Sequence, residues 1–146
     1  MFDLLMAVLH HIIIFALFGV LLAEVVTVRR GMDAAAVMRI SAMDLWYGVL
    51  AGLIVVVGFV RAIFAAKGWH YYEHNAFFWA KIATFVVIGL LSVPPTLQYP
   101  KWRRAGIAPT DDAIAKVRRY LLIEVVLFVP LLALAAAMAR GYGWFG

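Results

Sequence analysis

Four apolar stretches, at about 4–28, 43–66, 76–98 and 119–140, constrain this chain more than any single residue does. Each holds the roughly 20 apolar residues that a helix needs to cross a bilayer. Of the 146 residues 66% are hydrophobic and 14% charged. A soluble domain is about half apolar and a quarter charged, so the excess belongs in lipid. The connections "RRGMDAAAVMRIS", "KGWHYYEHN" and "YPKWRRAGIAPTDDAIAKVRRY" leave no room for a soluble domain. The expectation is therefore one all-α domain over residues 1–146: an integral membrane four-helix bundle of up-down topology. The N-terminus has no basic leader, carries Asp3, and has an apolar run longer than the ~7–15 residues of a signal peptide. It is expected to remain as the first helix.

Charge orients the bundle. Arg29, Arg30 and Arg39 follow the first run, and Lys101, Arg103, Arg104, Lys116, Arg118 and Arg119 follow the third. The second loop and the termini carry few basic residues, so these face outward and the termini are periplasmic in a Gram-negative inner (cytoplasmic) membrane. The net charge of +5 thus reads as multi-pass membrane topology, not nucleic-acid binding. Thr110 is a natural N-cap for a helix that opens with Asp111 and Asp112. Gly48 and Gly52 form a small-xxx-small pair that permits close helix approach. Pro94 and Pro95 are expected to end the third helix, and Pro130 to kink the fourth.

Titratable groups inside a span are costly, and by default they mark function. His10, His11, Arg61 and Lys81 fall at one similar depth near the outward ends of three spans, with Arg140 closing the fourth. Trp69, His70, Tyr71, Tyr72, Glu73 and His74 sit just above them. Toward the other end lie Glu24, Asp44 and Glu124, read as interfacial ion pairs with the neighbouring arginines. His10 and Glu24 lie within about 40° of one helix face, so His10 turns inward and His11 stands about 100° away.

Zinc fits poorly, because no span carries the regular Cys, His and carboxylate spacing of a tetrahedral site. With no cysteine there are no disulfides, thiolate clusters or cysteine nucleophiles. A b-type haem fits better, since it needs bundle-facing nitrogen ligands, aromatic walls and cations for its propionates. His10 or His11 supplies an axial nitrogen, and Lys81 is the second ligand or a propionate partner. Arg61 and Arg140 are propionate partners, His74 is an alternative ligand, and Trp79, Phe77, Phe78, Tyr71 and Tyr72 are wall residues.

The strings "LHHIIIFALFGVLLAE" and "FFWAK…GLLSVPPT" resemble an uncharacterised bacterial family of four-helix membrane proteins, the domain-of-unknown-function family numbered twenty-two fourteen. That resemblance implies a fold and a membrane location, but no activity. His10 or His11 before Ile12 and Ile13, with Trp79 and Lys81, is also similar to HemJ-type membrane protoporphyrinogen oxidases and CopD-like haem and copper bundles. This second resemblance implies a haem role for those positions. It departs in "FGVLLAE" and in the "KGWHYYEHN" loop, which has no counterpart there.

Together these readings lead to a membrane haem b protein of electron transfer or an oxidoreductase reaction, exchanging electrons with quinone or a redox partner. The rivals are a haem-free transporter or ion-binding protein, with His10, His70, Glu73 and His74 as a cation site, and a structural subunit. The structural or assembly subunit would pack its Gly48 and Gly52 face on a partner, and a homo-oligomer is a further expectation.

Overall fold

The computed structural model describes residues 1–64 and 67–145. Among the described residues five helices follow in order: α1 Phe2–Thr27, α2 Ala34–Phe64, α3 Gly68–Glu73, α4 Ala76–Ala105 and α5 Asp111–Ala139. Four of them are long and apolar enough to span a membrane. At 1.5 Å per residue the shortest, of 26 residues, is about 39 Å long, so each overreaches a hydrocarbon core of ~30 Å.

Packing follows the connectivity. α1 lies chiefly against α2 and α4 against α5, while α2 meets α4 and α1 meets α5 to close a ring. The seam is filled by Leu17 and Leu21 from α1, Ile40 from α2, Ile88 from α4, and Leu121 and Phe128 from α5. Phe18 lies against Phe128 with ring centroids 5.0 Å apart. Outside this seam large apolar side chains point away from the bundle, among them Phe15, Val26, Leu90 and Val129. In water such a surface would drive association; in lipid it is the solvated face.

Local chemistry sets the helix ends. Asp33 accepts from the Ala36 N–H at 2.7 Å, and Thr110 caps α5 through the Ala113 N–H at 3.4 Å. Asn75, fully buried, accepts from the Phe77 and Phe78 N–H groups at 3.0 and 3.2 Å. Its amide also donates to the Tyr142 carbonyl at 3.1 Å. The chain after α5 is thereby clasped to the α3–α4 junction, with Ala76 N–H on the Gly143 carbonyl at 2.8 Å. Gly143 has φ 84, and a Cβ there would meet Phe77 at 2.9 Å, so glycine is required on two counts. Arg118 reaches from α5 to the end of α1 and donates to the Val25 and Val28 carbonyls at 2.6 and 2.8 Å, satisfying groups that the helix leaves open.

Four expectations change. α4 does not end at Pro94 and Pro95 but continues past Pro100 to Ala105. Stopping it would expose further backbone groups to lipid, which costs more than the few hydrogen bonds proline removes. α2 begins at Ala34, well before its apolar run, because polar residues beyond the hydrocarbon prolong a capped helix without penalty. The end of the second apolar run, 65 and 66, lies outside the described residues. The loop after it holds the short helix α3, which hydropathy did not mark. Finally, Gly48 and Gly52 meet nothing within 4 Å, so they bring no helices of this chain together.

Candidate functional site

A cavity of about 140 Å³ lies between the four long helices near the α3 end. α1 contributes His10 and His11, α2 Gly58 and Phe59, α4 Phe78, Lys81 and Phe85, and α5 Leu131 and Ala135. Apart from the two imidazoles and the amine its wall is apolar. Exposed His11, Val55 and Leu132 form part of the lining, so the space opens toward the membrane.

His10 turns into the bundle. Its Nδ1 is buried and has no hydrogen-bond partner among the described residues. Gly58 makes its place: a Cβ there would stand 3.4 Å from His10 Cε1. His11 stands on the rim, and its Nδ1 donates to the Ala7 carbonyl at 2.6 Å. That bond orients the ring and leaves Nε2 as its lone-pair nitrogen, the arrangement usual for an imidazole that binds a metal. Lys81, half-buried, places Nζ 5.2 Å from the centre of the Phe78 ring. Arg61, one turn beyond Gly58 on α2, holds Nε 3.9 Å from Asp3 Oδ1 and does not line the cavity.

The remaining candidates lie elsewhere. Trp79 faces outward and donates through Nε1 to the Glu73 carbonyl at 3.0 Å. His74 donates through Nδ1 to the His70 carbonyl at 3.0 Å and stacks on the His70 ring at 4.5 Å. His70, Glu73 and His74 have ligand atoms within 4.8 Å of one another, a possible metal-holding group of their own. His10 is not part of it, so the four residues of the rival cation-site reading do not come together. Of the anticipated aromatic wall, Phe78 lines the cavity, while Phe59 and Phe85 complete it unforeseen. Tyr72 does not line the cavity but packs behind its wall against Phe78 and Ala62, and Arg140 is exposed beyond the end of α5.

A second polar layer is buried toward the arginine-rich end. Glu24 and Glu124 are 2% and 0% exposed. The Tyr47 hydroxyl donates to Glu124 Oε2 at 3.0 Å, and the Tyr99 hydroxyl to Glu24 Oε2 at 3.5 Å. Thr96 donates to Asp44 Oδ1 at 2.7 Å. The Oε1 atoms of both glutamates have no partner, and among the described residues no Lys or Arg pairs with any of the three acids. The ion pairs expected here are thus replaced by hydroxyl donors. Arg118, six residues before Glu124, is taken up by backbone carbonyls instead. Tyr47 and Tyr99 were overlooked, although each stands one turn along its helix from Asp44 or Thr96 and both are readable as polar tips inside apolar runs.

The family model described as a predicted membrane protein, DUF2214, matches residues 2–143. The chain belongs to this family. A DUF2214 protein is a multi-pass membrane protein, in accord with the four apolar helices. No curated protein and no solved structure matches the chain, so the likeness to HemJ- and CopD-type bundles rests on the residues quoted for it alone.

Proposed function

We propose that this DUF2214 protein binds a b-type haem at the His10–Lys81 cavity and passes electrons within the bacterial inner membrane, its termini and α3 facing outward. One observation carries the reading: side-chain nitrogens from α1 and α4 converge on a single apolar cavity, one of them a buried imidazole nitrogen without a partner. An unpaired polar atom in such surroundings costs about 1–3 kcal/mol, which a ligand would recover. Bound there, a haem supplies one-electron chemistry tuned by its ligands and by the dryness of the pocket. His10, or His11 from the rim, would hold the iron. Lys81 would serve as a second ligand or neutralise a propionate, and Arg61, loosely held by Asp3, would neutralise another. Phe59, Phe78 and Phe85 would exclude water. The enclosed volume of about 140 Å³ is below the ~300–1,000 Å³ of pockets that enclose whole cofactors, so the lipid-side opening would have to widen around the macrocycle. Quinone or a second redox protein would be the electron acceptor, and a HemJ-like oxidase reaction would need the same acceptor, since the electrons it removes from its substrate outnumber the one a single haem can hold.

That same volume favours a second reading, a haem-free protein binding a small ion. The space suits four or five waters at ~30 Å³ each, and its basic lining suits an anion. The Glu24–Asp44–Glu124 layer would then move protons toward the other face.

Oxidised and dithionite-reduced spectra of the detergent-purified protein separate the two. The haem reading expects a Soret band and reduced α band, lost in His10→Ala or His11→Ala and shifted in Lys81→Met. A protein that stays colourless when expressed with excess haem precursor would leave the small-ion reading.

A further inference from the structure

At the end of the bundle opposite α3, a groove of about 980 Å³ lies between the end of α1 and the first half of α5. Arg29, Arg30, Arg118 and Arg119 form its rim, and Val26, Leu122, Ile123 and Val126 line it below. These four apolar residues are exposed, and none of the described residues covers them. Val126 lies seven residues past Arg119, about 10 Å deeper along the helix. A cationic rim thus passes directly into an apolar channel at membrane depth.

Among the described residues no acidic side chain pairs with the rim. Arg118 is engaged with the Val25 and Val28 carbonyls, which holds the two helix segments together as the groove's floor. Arg29, Arg30 and Arg119 are exposed, and none makes an ion pair among the described residues. Topology alone asks only that positive charge lie in the loop. Here two arginines lie on α5 itself and face the α1 exit across a shared groove.

We propose that this groove is a binding site for one acidic phospholipid, its phosphate among Arg29, Arg30 and Arg119 and an acyl chain along Val26, Leu122 and Val126. Basic pockets between membrane helices recognise anionic headgroups in this way, each basic residue near the surface adding about fivefold in affinity. A free phosphate would use the rim and leave the apolar channel bare. A zwitterionic lipid would fill the channel and offer the same phosphate, but its ammonium beside that phosphate cancels the charge and leaves the cationic rim without a net counter-charge. Only an acidic lipid answers both halves. The site is independent of whatever occupies the His10–Lys81 cavity.

The test is native mass spectrometry of the full chain in neutral detergent, titrated with phosphatidylglycerol or phosphatidylcholine of matched chains. Phosphatidylglycerol is expected to bind at least tenfold more tightly. The preference should disappear in R29Q/R30Q/R119Q, which leaves Arg118 in place. Val126→Asn is expected to weaken phosphatidylglycerol binding several-fold at unchanged charge, and millimolar inorganic phosphate to displace none of it. Equal binding of the two lipids, a preference that survives the triple substitution, indifference to Val126→Asn, or displacement by phosphate would each overturn the proposal.

Discussion

Removing the Tyr47 hydroxyl leaves Glu124 without a described hydrogen-bond partner. That hydroxyl lies 3.0 Å from Oε2, Oε1 already has none, and the side chain is fully buried. A buried polar group deprived of its partner costs about 1–3 kcal/mol. Tyr47→Phe changes the volume of the site hardly at all, so the penalty should appear undiluted by a cavity. Glu124→Leu leaves the tyrosine hydroxyl orphaned instead, partly offset by the apolar replacement. The double variant Tyr47→Phe/Glu124→Leu leaves neither group orphaned and should be less destabilised than the two single variants added together, with a coupling of about 1–3 kcal/mol. In mixed dodecylmaltoside–SDS micelles, tryptophan fluorescence gives the unfolding midpoints. A thermal scan would show about 2–4 °C per kcal/mol for a chain of this size. Additivity within about 0.5 kcal/mol would refute the reasoning and mean that the two groups do not depend on each other.

Asn75→Ala removes both a helix cap and the clasp on Tyr142, and should destabilise by roughly 2–4 kcal/mol in the same titration, summing a cap with an orphaned carbonyl. Asn75→Asp should keep most of the cap and lose the clasp. Arg61→Ala should cost about 0–1 kcal/mol, since its buried Nε makes no hydrogen bond and meets the half-exposed Asp3 only at 3.9 Å. Gly48→Ala and Gly52→Ala should be neutral or stabilise by up to about 1 kcal/mol, because nothing stands within 4 Å of the added atom; a loss at both would place a second copy on that face. The chain has no cysteine, so single-cysteine variants report topology cleanly. Tyr142→Cys should react with a membrane-impermeant maleimide in spheroplasts, and Ile107→Cys only after permeabilisation.

The four long helices were readable because length and hydropathy alone determine what crosses a bilayer. Their ends were less so. Pro94, Pro95 and Pro100 would stop a helix in water but are carried inside α4, since lipid offers an interrupted backbone no alternative partner. Hydropathy alone does not separate buried Leu17 from exposed Phe15, because lipid and core are equally apolar; their angle does, since Leu17 shares the face of His10 and Glu24 while Phe15 lies on the stripe of His11. Polar residues in apolar runs were the clearest signal. His10, His11 and Lys81 were expected at one depth, and they meet at one cavity. Trp79 and His74 do not reach it, because α3 and the Asn75 turn direct them outward, a matter of local geometry that composition does not carry. The acids were misread as ion-paired because arginine is near in sequence, whereas tyrosines from other parts of the chain reach them in space.

The most direct measurement is the haem content of the purified protein, by pyridine haemochrome, beside that of His10→Ala, His11→Ala and Lys81→Met. A haem ligated in the His10–Lys81 cavity predicts one haem b per chain in the wild type and almost none once the ligating histidine is removed. No pigment, or pigment that survives both histidine substitutions unchanged, would contradict it.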